Sequence, residues 1–304
     1  MTAATQVRTP SCEDMSSVQI LLEAGALSEL VNLLLRQANP LLWETAAAAA
    51  KEDGCADAEH AIWIARRREG IGGSDVATLL GMNSRWTKPQ ELWEIKTGRR
   101  ESDPPTPATQ RGHDLEPWVV EEAARLTGAT IDPAGVAFHR HPRWAQGVCI
   151  QANTDGTVAP PEGSTLGPGL FEAKTCKLST YGDSPSQAFL HDQIPNGYLL
   201  QCQAYMAATG MQWGVIAAAI GPSAHDNWTP GNVLGFTCLS FLAHKPIQAM
   251  IEIACAEFWE CVKRDTPPQW RHHHALPEIL RQCAQVRTKV SRTPEGGLAR
   301  WWRG

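Results

Sequence analysis

The sequence predicts a mixed α/β fold, with a central mixed β-sheet flanked by helices and an extra helical segment at the N-terminus. Three observations predict it. Segments rich in β-branched and aromatic residues recur at 135–140, 148–158, 169–175, 212–220 and 233–242. Helical periodicity fills 110–126, 195–210 and 246–263. The 304 residues are 43% hydrophobic and 19% charged, the balance of a globular chain able to bury a core.

Residues 1–56 form the extra segment. Val18 to Gln37 places Ile20, Leu21, Leu22, Leu27, Leu30, Val31, Leu34 and Leu35 at helical spacing, and Leu41 to Ala50 ends in an alanine run, so two helices are expected. Gly54, between Asp53 and Asp57, marks a joint. Residues 57–266 read as one α/β domain. A helix from Ala58 to Arg68 enters the glycine turn Gly70-Ile71-Gly72-Gly73, and Ser74 is expected to cap the next helix, to about Leu80. Pro89 opens a helix over Gln90 to Thr97 that Gly98 stops. The prolines between Glu101 and Thr109 predict a loop, and Gln110 to Leu126 is a long amphipathic helix ending at Gly128.

The strand candidates Gly135 to Arg140, Val148 to Val158 (broken by Asp155-Gly156) and Gly169 to Thr175 are expected to form an antiparallel meander. A helix from Pro195 to near Gly210, strands over Gln212 to Ile220 and Val233 to Leu242, and a helix over Pro246 to Lys263 complete the domain. Residues 267–304 form a basic tail with Arg271, Arg281, Arg287, Lys289, Arg292, Arg300 and Arg303.

Several function classes are excluded. No run approaches the roughly 18 uninterrupted apolar residues of a membrane span. Met1 to Arg8 lacks a basic segment followed by an apolar one, which predicts a cytoplasmic protein. Nine cysteines, odd in number and without a CxxC pair, read as buried thiols rather than a zinc, iron–sulfur or disulfide frame. A net charge of −5 argues against bulk attachment to nucleic acid, though a local basic cleft remains compatible with it. Gly72-Gly73 has no following Gly-Lys-Ser/Thr, so ATP is not implied. Trp86, Trp93 and Trp144 can stack bases or fill the core, and His272-His273-His274 reads as a polar turn before a metal site.

The chemistry concentrates downstream of the long helix. Asp155 precedes Gly156 at a turn, and seventeen residues on, Phe171-Glu172-Ala173-Lys174-Thr175 supplies a second carboxylate and a lysine. With a strand period of two, Glu172 and Lys174 share one face while Phe171 and Ala173 take the other, expected to be the core side. If the two strands are neighbours, Asp155 and Glu172 can share a hard divalent cation, with the Ala173 carbonyl completing the oxygen set. Lys174 then lies where it can orient water or meet developing negative charge. A surface hairpin with a Glu–Lys pair has the same local pattern. Glu116 on the long helix adds a third acid, and Tyr198, Gln201 and Tyr205 fall on one helical face.

Taken in order, these segments resemble a known family. The series is Arg68-Glu69-Gly70-Ile71-Gly72-Gly73-Ser74-Asp75; Pro89…Leu92-Trp93…Lys96-Thr97-Gly98; Gly112…Leu115-Glu116-Pro117; His141-Pro142…Trp144; Asp155-Gly156; Phe171-Glu172-Ala173-Lys174; and Ile194-Pro195…Tyr198…Gln201…Gln203…Met206. It is similar to the YqaJ-like viral recombinase nucleases, relatives of lambda exonuclease in the PD-(D/E)xK superfamily, over residues of about 60 to 220. Residues 1–56 and the chain beyond about 220 have no counterpart in that series, and Pro160 to Pro168 lengthens the hairpin between the two carboxylates.

The resemblance implies a restriction-endonuclease-like core and a magnesium-dependent DNA nuclease, with manganese as a substitute cation. It implies Asp155 and Glu172 as metal ligands, Lys174 as catalytic lysine, Glu116 as a further acid at the metal, and Gln201 as organiser of Lys174 or the attacking water. Arg68 and Ser74 match phosphate-holding positions, with Arg67 the alternative to Arg68 and Tyr198 and Tyr205 as further DNA contacts; a glycine turn at a helix N-terminus suits a phosphate. The implied activity is a 5′-to-3′ exonuclease on linear double-stranded DNA in recombination, beside a single-strand annealing protein and as a homotrimer. An endonuclease or end-processing enzyme on the same core, and a non-catalytic DNA-binding module, are the alternatives.

Overall fold

The computed structural model describes residues 11–269 apart from 27–28, 32, 35–39, 53, 55, 83–86, 102–105, 134–137, 161, 183 and 225, together with 280 and 289–292. Trp86, the triple histidine and the arginines at 271, 281, 287, 300 and 303 lie outside the described residues. The chain divides into two compact units, Met1–Gly70 with Ile95–Ser102, and Ile71–Glu94 with Asp103–Gly304.

The first unit contains α1 (Cys12–Glu23), α2 (Pro40–Glu52) and α3 (Ala56–Arg68). Ser11 and Asp14 start α1 by reciprocal capping: Ser11 Oγ accepts from the Asp14 N–H at 3.1 Å, and Asp14 Oδ2 accepts from the Ser11 N–H at 3.0 Å. The first helix thus begins and ends earlier than its apolar spacing predicts. Gly25, at φ +64°, stops it in the left-handed region that glycine enters without a Cβ penalty. Val18, Leu22, Leu30, Leu34, Trp43, Ala46, Ala50, Ile62 and Ala65 make this unit's core. Lys96 Nζ donates to the Arg67 carbonyl at 2.7 Å, a cation at the C-terminal end of α3.

The second unit holds β1 (Ile71–Gly72), α4 (Gly73–Leu79), α5 (Pro89–Lys96, shared at its end with the first unit), α6 (Pro107–Thr127), β2 (Ile131–Asp132), β3 (His139–Arg140), β4 (Ile150–Ala152), β5 (Gly156–Val158) and β6 (Gly169–Lys177). After β6 come α7 (Pro185–Leu190), α8 (Asn196–Thr209), β7 (Trp213–Gly221), β8 (Gly235–Leu242), α9 (Lys245–Lys263) and β9 (Lys289–Arg292). The main sheet runs β2-β5-β6-β7-β8-β9, and β1-β4-β3 form a smaller sheet. Within the main sheet β6 and β7 are parallel, joined by a crossover through α7 and α8, and its other pairings are antiparallel. This is the expected central mixed sheet with flanking helices.

The expected meander is not formed. β4 pairs with β1 in parallel and with β3 in antiparallel sense, while β5 crosses to the main sheet. The physical cause is the corner at 153–155, which turns the chain out of one sheet into the other. The sequence shows the break at Asp155-Gly156 and does not show that it separates two sheets.

Both faces of the main sheet are covered. Leu170, Cys176, Ile216, Ala218, Ile220 and Leu239 pack with α4, α8 and α9 residues such as Val76, Leu199, Met206, Ile251 and Phe258. Phe171, Val215, Ala217, Ala219 and Cys238 pack on the other side with Leu115, Val119 and Ala123 of α6. The nine residues of β7 are all buried, matching a strand apolar on both faces. Among the described cysteines, Cys149, Cys176, Cys202, Cys238 and Cys255 are buried thiols. Trp93 is buried and its indole N–H donates to the Cys261 carbonyl, whereas Trp144 lies under the Arg140 guanidinium at 4.6 Å. Among the described residues, no helix is long and apolar enough to cross a membrane.

Candidate active site

Strand register brings the two strand-borne carboxylates together. Gly156 pairs with Phe171, so one step further the antiparallel ladder sets Asp155 opposite Glu172, on the same face. Gly156 serves the opposite edge of β5, where a Cβ would lie 2.8 Å from the Asp132 carbonyl oxygen of β2. Asp155 Oδ2 then accepts from the Ala173 backbone N–H at 2.8 Å. In an extended strand a residue's N–H and C=O point to the same edge, so the Ala173 carbonyl also faces the edge that Asp155 occupies.

The strand period is as expected, but the charged face is no open cleft. Glu172 and Lys174 share their face with Leu170 and Cys176, beneath α8, and Glu172 is 1% exposed. Lys174 Nζ donates to Glu172 Oε1 at 2.5 Å, and Gln201 Nε2 donates to the same oxygen at 2.7 Å. Glu172 Oε2 is buried and has no hydrogen-bond partner among the described residues. Gln201 Nε2 also donates to Tyr205 Oη at 3.1 Å, and Lys174 Nζ sits 5.2 Å from the Tyr198 ring centroid. The helical stripe Tyr198, Gln201 and Tyr205 is therefore turned onto the Glu172–Lys174 pair.

Electrostatics follow from that crowding. Burial, reinforced by Asp155, pushes Glu172 up to about 8 from an ordinary carboxylate value. Burial and Asp155 also raise Glu116 on α6. Burial draws Lys174 down, but the Glu172 and Asp155 carboxylates outweigh it and hold the lysine above its ordinary range, so it stays protonated. Glu116, Asp155 and Glu172 set three carboxylates against one ammonium, an excess of negative charge in a desolvated place.

That excess, the orphaned Glu172 Oε2 and the Ala173 carbonyl make an oxygen-only donor set that fits a hard divalent cation. Among the described residues no three carboxylate, histidine or cysteine side chains close a cage by themselves.

The remaining predicted residues fall in two places. Ser74 is exposed in the first turn of α4 but does not cap it: Gly72 is the N-cap, and the Asp75 carboxylate accepts from the Gly72 N–H at 3.0 Å. Arg67 and Arg68 are the last residues of α3 and belong to the first unit, where Arg67 stacks over Trp63 at 4.8 Å. Tyr205 is 6% exposed, which directs its hydroxyl to Gln201 rather than to solvent.

Two roles escape sequence reading. A Cβ on Gly73 would lie 2.5 Å from the Tyr205 ring and 2.9 Å from Gln201 Cγ, so this glycine serves close packing against the α8 stripe. Gln203 faces away from the site: its Nε2 donates to the Leu242 carbonyl at 2.8 Å, and its Oε1 accepts from the His244 N–H at 2.8 Å. The segment around His141 is likewise structural, with His141 3.3 Å from Glu252 and Arg143 paired to the same carboxylate.

Residues 62–212 match the YqaJ-like viral recombinase domain family. A Bacillus subtilis (strain 168) protein, uncharacterized protein YqaJ, is 32% identical over 152 residues, 50% of this chain and 43% of that protein, so the chain spans less than half of the relative's length. Among solved structures, an alkaline exonuclease from Laribacter hongkongensis is similar with a TM-score of 0.49 and 21% identity, covering 72% of this chain and 96% of that one. A phage related exonuclease from Haemophilus somnus is similar with a TM-score of 0.46 and 13% identity, covering 64% of this chain and 96% of the other.

Proposed function

Because residues 62–212 are a YqaJ-like viral recombinase domain, we propose that this chain is a magnesium-dependent deoxyribonuclease, acting as a 5′-to-3′ exonuclease on linear double-stranded DNA in recombination. The observation that carries the reading is Glu172, a buried carboxylate with one oxygen held by Lys174 and Gln201 and the other unpartnered. A buried polar atom left without a partner is costly, and such groups mark places where a ligand completes the set.

Asp155, Glu172, the Ala173 carbonyl and Glu116 would hold the cation. When bound, it supplies a lowered pKa for coordinated water and counter-charge for the phosphodiester. Lys174, held protonated, acts as a charged donor that orients water for in-line attack on phosphorus and meets the negative charge of the transition state; it is not the base. Gln201 positions Glu172, and Tyr205 positions Gln201. Ser74 of the second unit and Arg68 of the first, with Arg67 as the alternative, are each read as phosphate contacts, and Tyr198, its ring centroid 5.2 Å from Lys174 Nζ, as a further DNA contact. Manganese is the expected substitute cation. A homotrimer and a single-strand annealing partner belong to the same reading.

The test uses a 5′-phosphorylated linear duplex, labelled at either end of one strand, beside the same DNA as a closed circle, with magnesium or chelator. Magnesium-dependent loss of the 5′ label from linear DNA, with the circle intact, is expected. Nicking of the circle would replace the exonuclease by an endonuclease, and binding without cleavage would leave a non-catalytic module.

A further inference from the structure

At the C-terminal end of β6 two cations from different elements converge on one carboxylate. Arg111 of α6 is 5% exposed; its Nη1 donates to the Asp226 backbone carbonyl at 2.9 Å and lies 3.7 Å from Asp226 Oδ1. Lys177, the last residue of β6, donates through Nζ to the same Oδ1 at 3.1 Å. The Trp228 ring closes the site with its centroid 5.5 Å from the guanidinium carbon. Arg111 Nε is buried and has no hydrogen-bond partner among the described residues.

Stability does not account for this grouping. The Lys177 and Asp226 side chains are 35% and 50% exposed, and an exposed ion pair adds little to the folded state. A guanidinium carries five N–H donors in a planar fork, and here its buried Nε is left unused. One carboxylate against two cations also leaves a net positive charge on a chain whose total is −5. A phosphate diester offers oxygens to both cations at once, which suits Arg–Lys pairs better than a single shared carboxylate oxygen.

The location gives the grouping its meaning. Glu116 follows Arg111 by five residues on α6, about 7.5 Å of helix rise. Lys174 precedes Lys177 by three residues, about 10 Å of strand. Pairing of β5 with β6 stops at Phe171, so among the described residues β6 has no strand partner on that side from Glu172 onward. Lys177 falls on the α6 face and Lys174 on the α8 face, which makes this a second site rather than part of the first. A DNA strand lying along the open edge of β6 reaches both.

We propose that Arg111 and Lys177 form a subsite for a DNA backbone phosphate beside the scissile one, and that Asp226 is the internal anion that fills it when DNA is absent. The inference rests on the nuclease reading above. Asp226 is then a competitor: its carboxylate must leave the two cations before a phosphate enters.

The experiment is fluorescence anisotropy of a short 5′-phosphorylated duplex on the full chain in chelator, titrated over salt, for wild type, Asp226→Asn and Lys177→Gln. Magnesium-dependent cleavage by the wild type and thermal melts of all three are measured in parallel. Asp226→Asn is expected to bind about 3- to 10-fold tighter. Lys177→Gln is expected to bind more weakly, with the slope of log affinity on log salt reduced by about 0.9, one phosphate contact. Wild-type cleavage with neither substitution changing affinity or slope overturns the subsite and leaves the nuclease standing. Asp226→Asn that binds no tighter overturns the competing role of Asp226. Absence of both cleavage and duplex binding in the wild type overturns the nuclease reading, and the subsite with it.

Discussion

Gln201 Nε2 donates at 2.7 Å to Glu172 Oε1, the oxygen that Lys174 Nζ already holds at 2.5 Å, so both donors fix one side of the carboxylate and neither touches the other side. The consequence is a buried carboxyl group with a fixed orientation and one oxygen, Oε2, available to a further partner.

Above about pH 8, where Glu172 is ionised, it forms a buried ion pair with Lys174, the side chains 1% and 16% exposed. Removing one partner of such a pair strands the other charge and costs about 3–5 kcal/mol, whereas replacing both is close to neutral. Lys174→Met is therefore expected to lower the denaturation midpoint strongly, and the double variant Glu172→Gln with Lys174→Met to recover most of the loss. Additive losses in chemical denaturation would show that the two side chains do not act as a pair.

The pH dependence of stability has a definite sign. In the cation-free protein, burial raises Glu172 to about 8, above its unfolded value. Between the unfolded carboxylate range and about pH 8 the folded state holds a proton that the unfolded state has released, so stability falls as pH rises through that window and levels off above it. Glu172→Gln should flatten this part of the wild-type profile, read as melting temperature against pH in chelator. Added magnesium should raise the wild-type melting temperature more at pH 8.5 than at pH 6, because the ionised carboxylate binds it.

Gln201 and Gln203, two residues apart on α8, should separate in assay. Gln201→Ala is expected to reduce turnover per folded molecule by about 10- to 100-fold, since it loosens Glu172. Gln203→Ala strands the Leu242 carbonyl and the His244 N–H and should cost about 1–3 kcal/mol, with turnover per folded molecule retained. Equal effects of the two on turnover would remove the distinction.

Gly73→Ala inserts a Cβ 2.5 Å from the Tyr205 ring and 2.9 Å from Gln201 Cγ. The ring must shift, and Gln201 with it, so turnover is expected to fall several-fold or more while binding of a DNA duplex in chelator is retained. Unchanged turnover would mean that the stripe on α8 tolerates displacement.

Much of this site is legible in the chain. Asp155-Gly156 and Phe171 to Lys174 announce themselves because strand period and turn chemistry are local, and the Tyr198, Gln201, Tyr205 stripe because helical period is local. What needs a third dimension is harder to read. Gln201 and Gln203 look alike in sequence, and the sheet decides which of them meets Glu172. The corner at 153–155 is visible as a break, while the choice of separate sheets for β4 and β5 depends on β1 arriving from 71–72. Ser74 looks like a helix cap, yet Asp75 accepts from the Gly72 N–H and moves the cap back to that glycine. Arg111 and Asp226 are 115 residues apart, and no local pattern joins them.

The most direct measurement is cleavage of a 5′-phosphorylated linear duplex by wild type and Glu172→Gln, each with magnesium and with chelator, alongside their melting curves. The account predicts hydrolysis by wild type in magnesium alone, and a Glu172→Gln variant that still melts cooperatively above the assay temperature yet cleaves at least about 100-fold more slowly. A folded Glu172→Gln variant that cleaves at the wild-type rate, or wild-type cleavage undiminished by chelator, would contradict it.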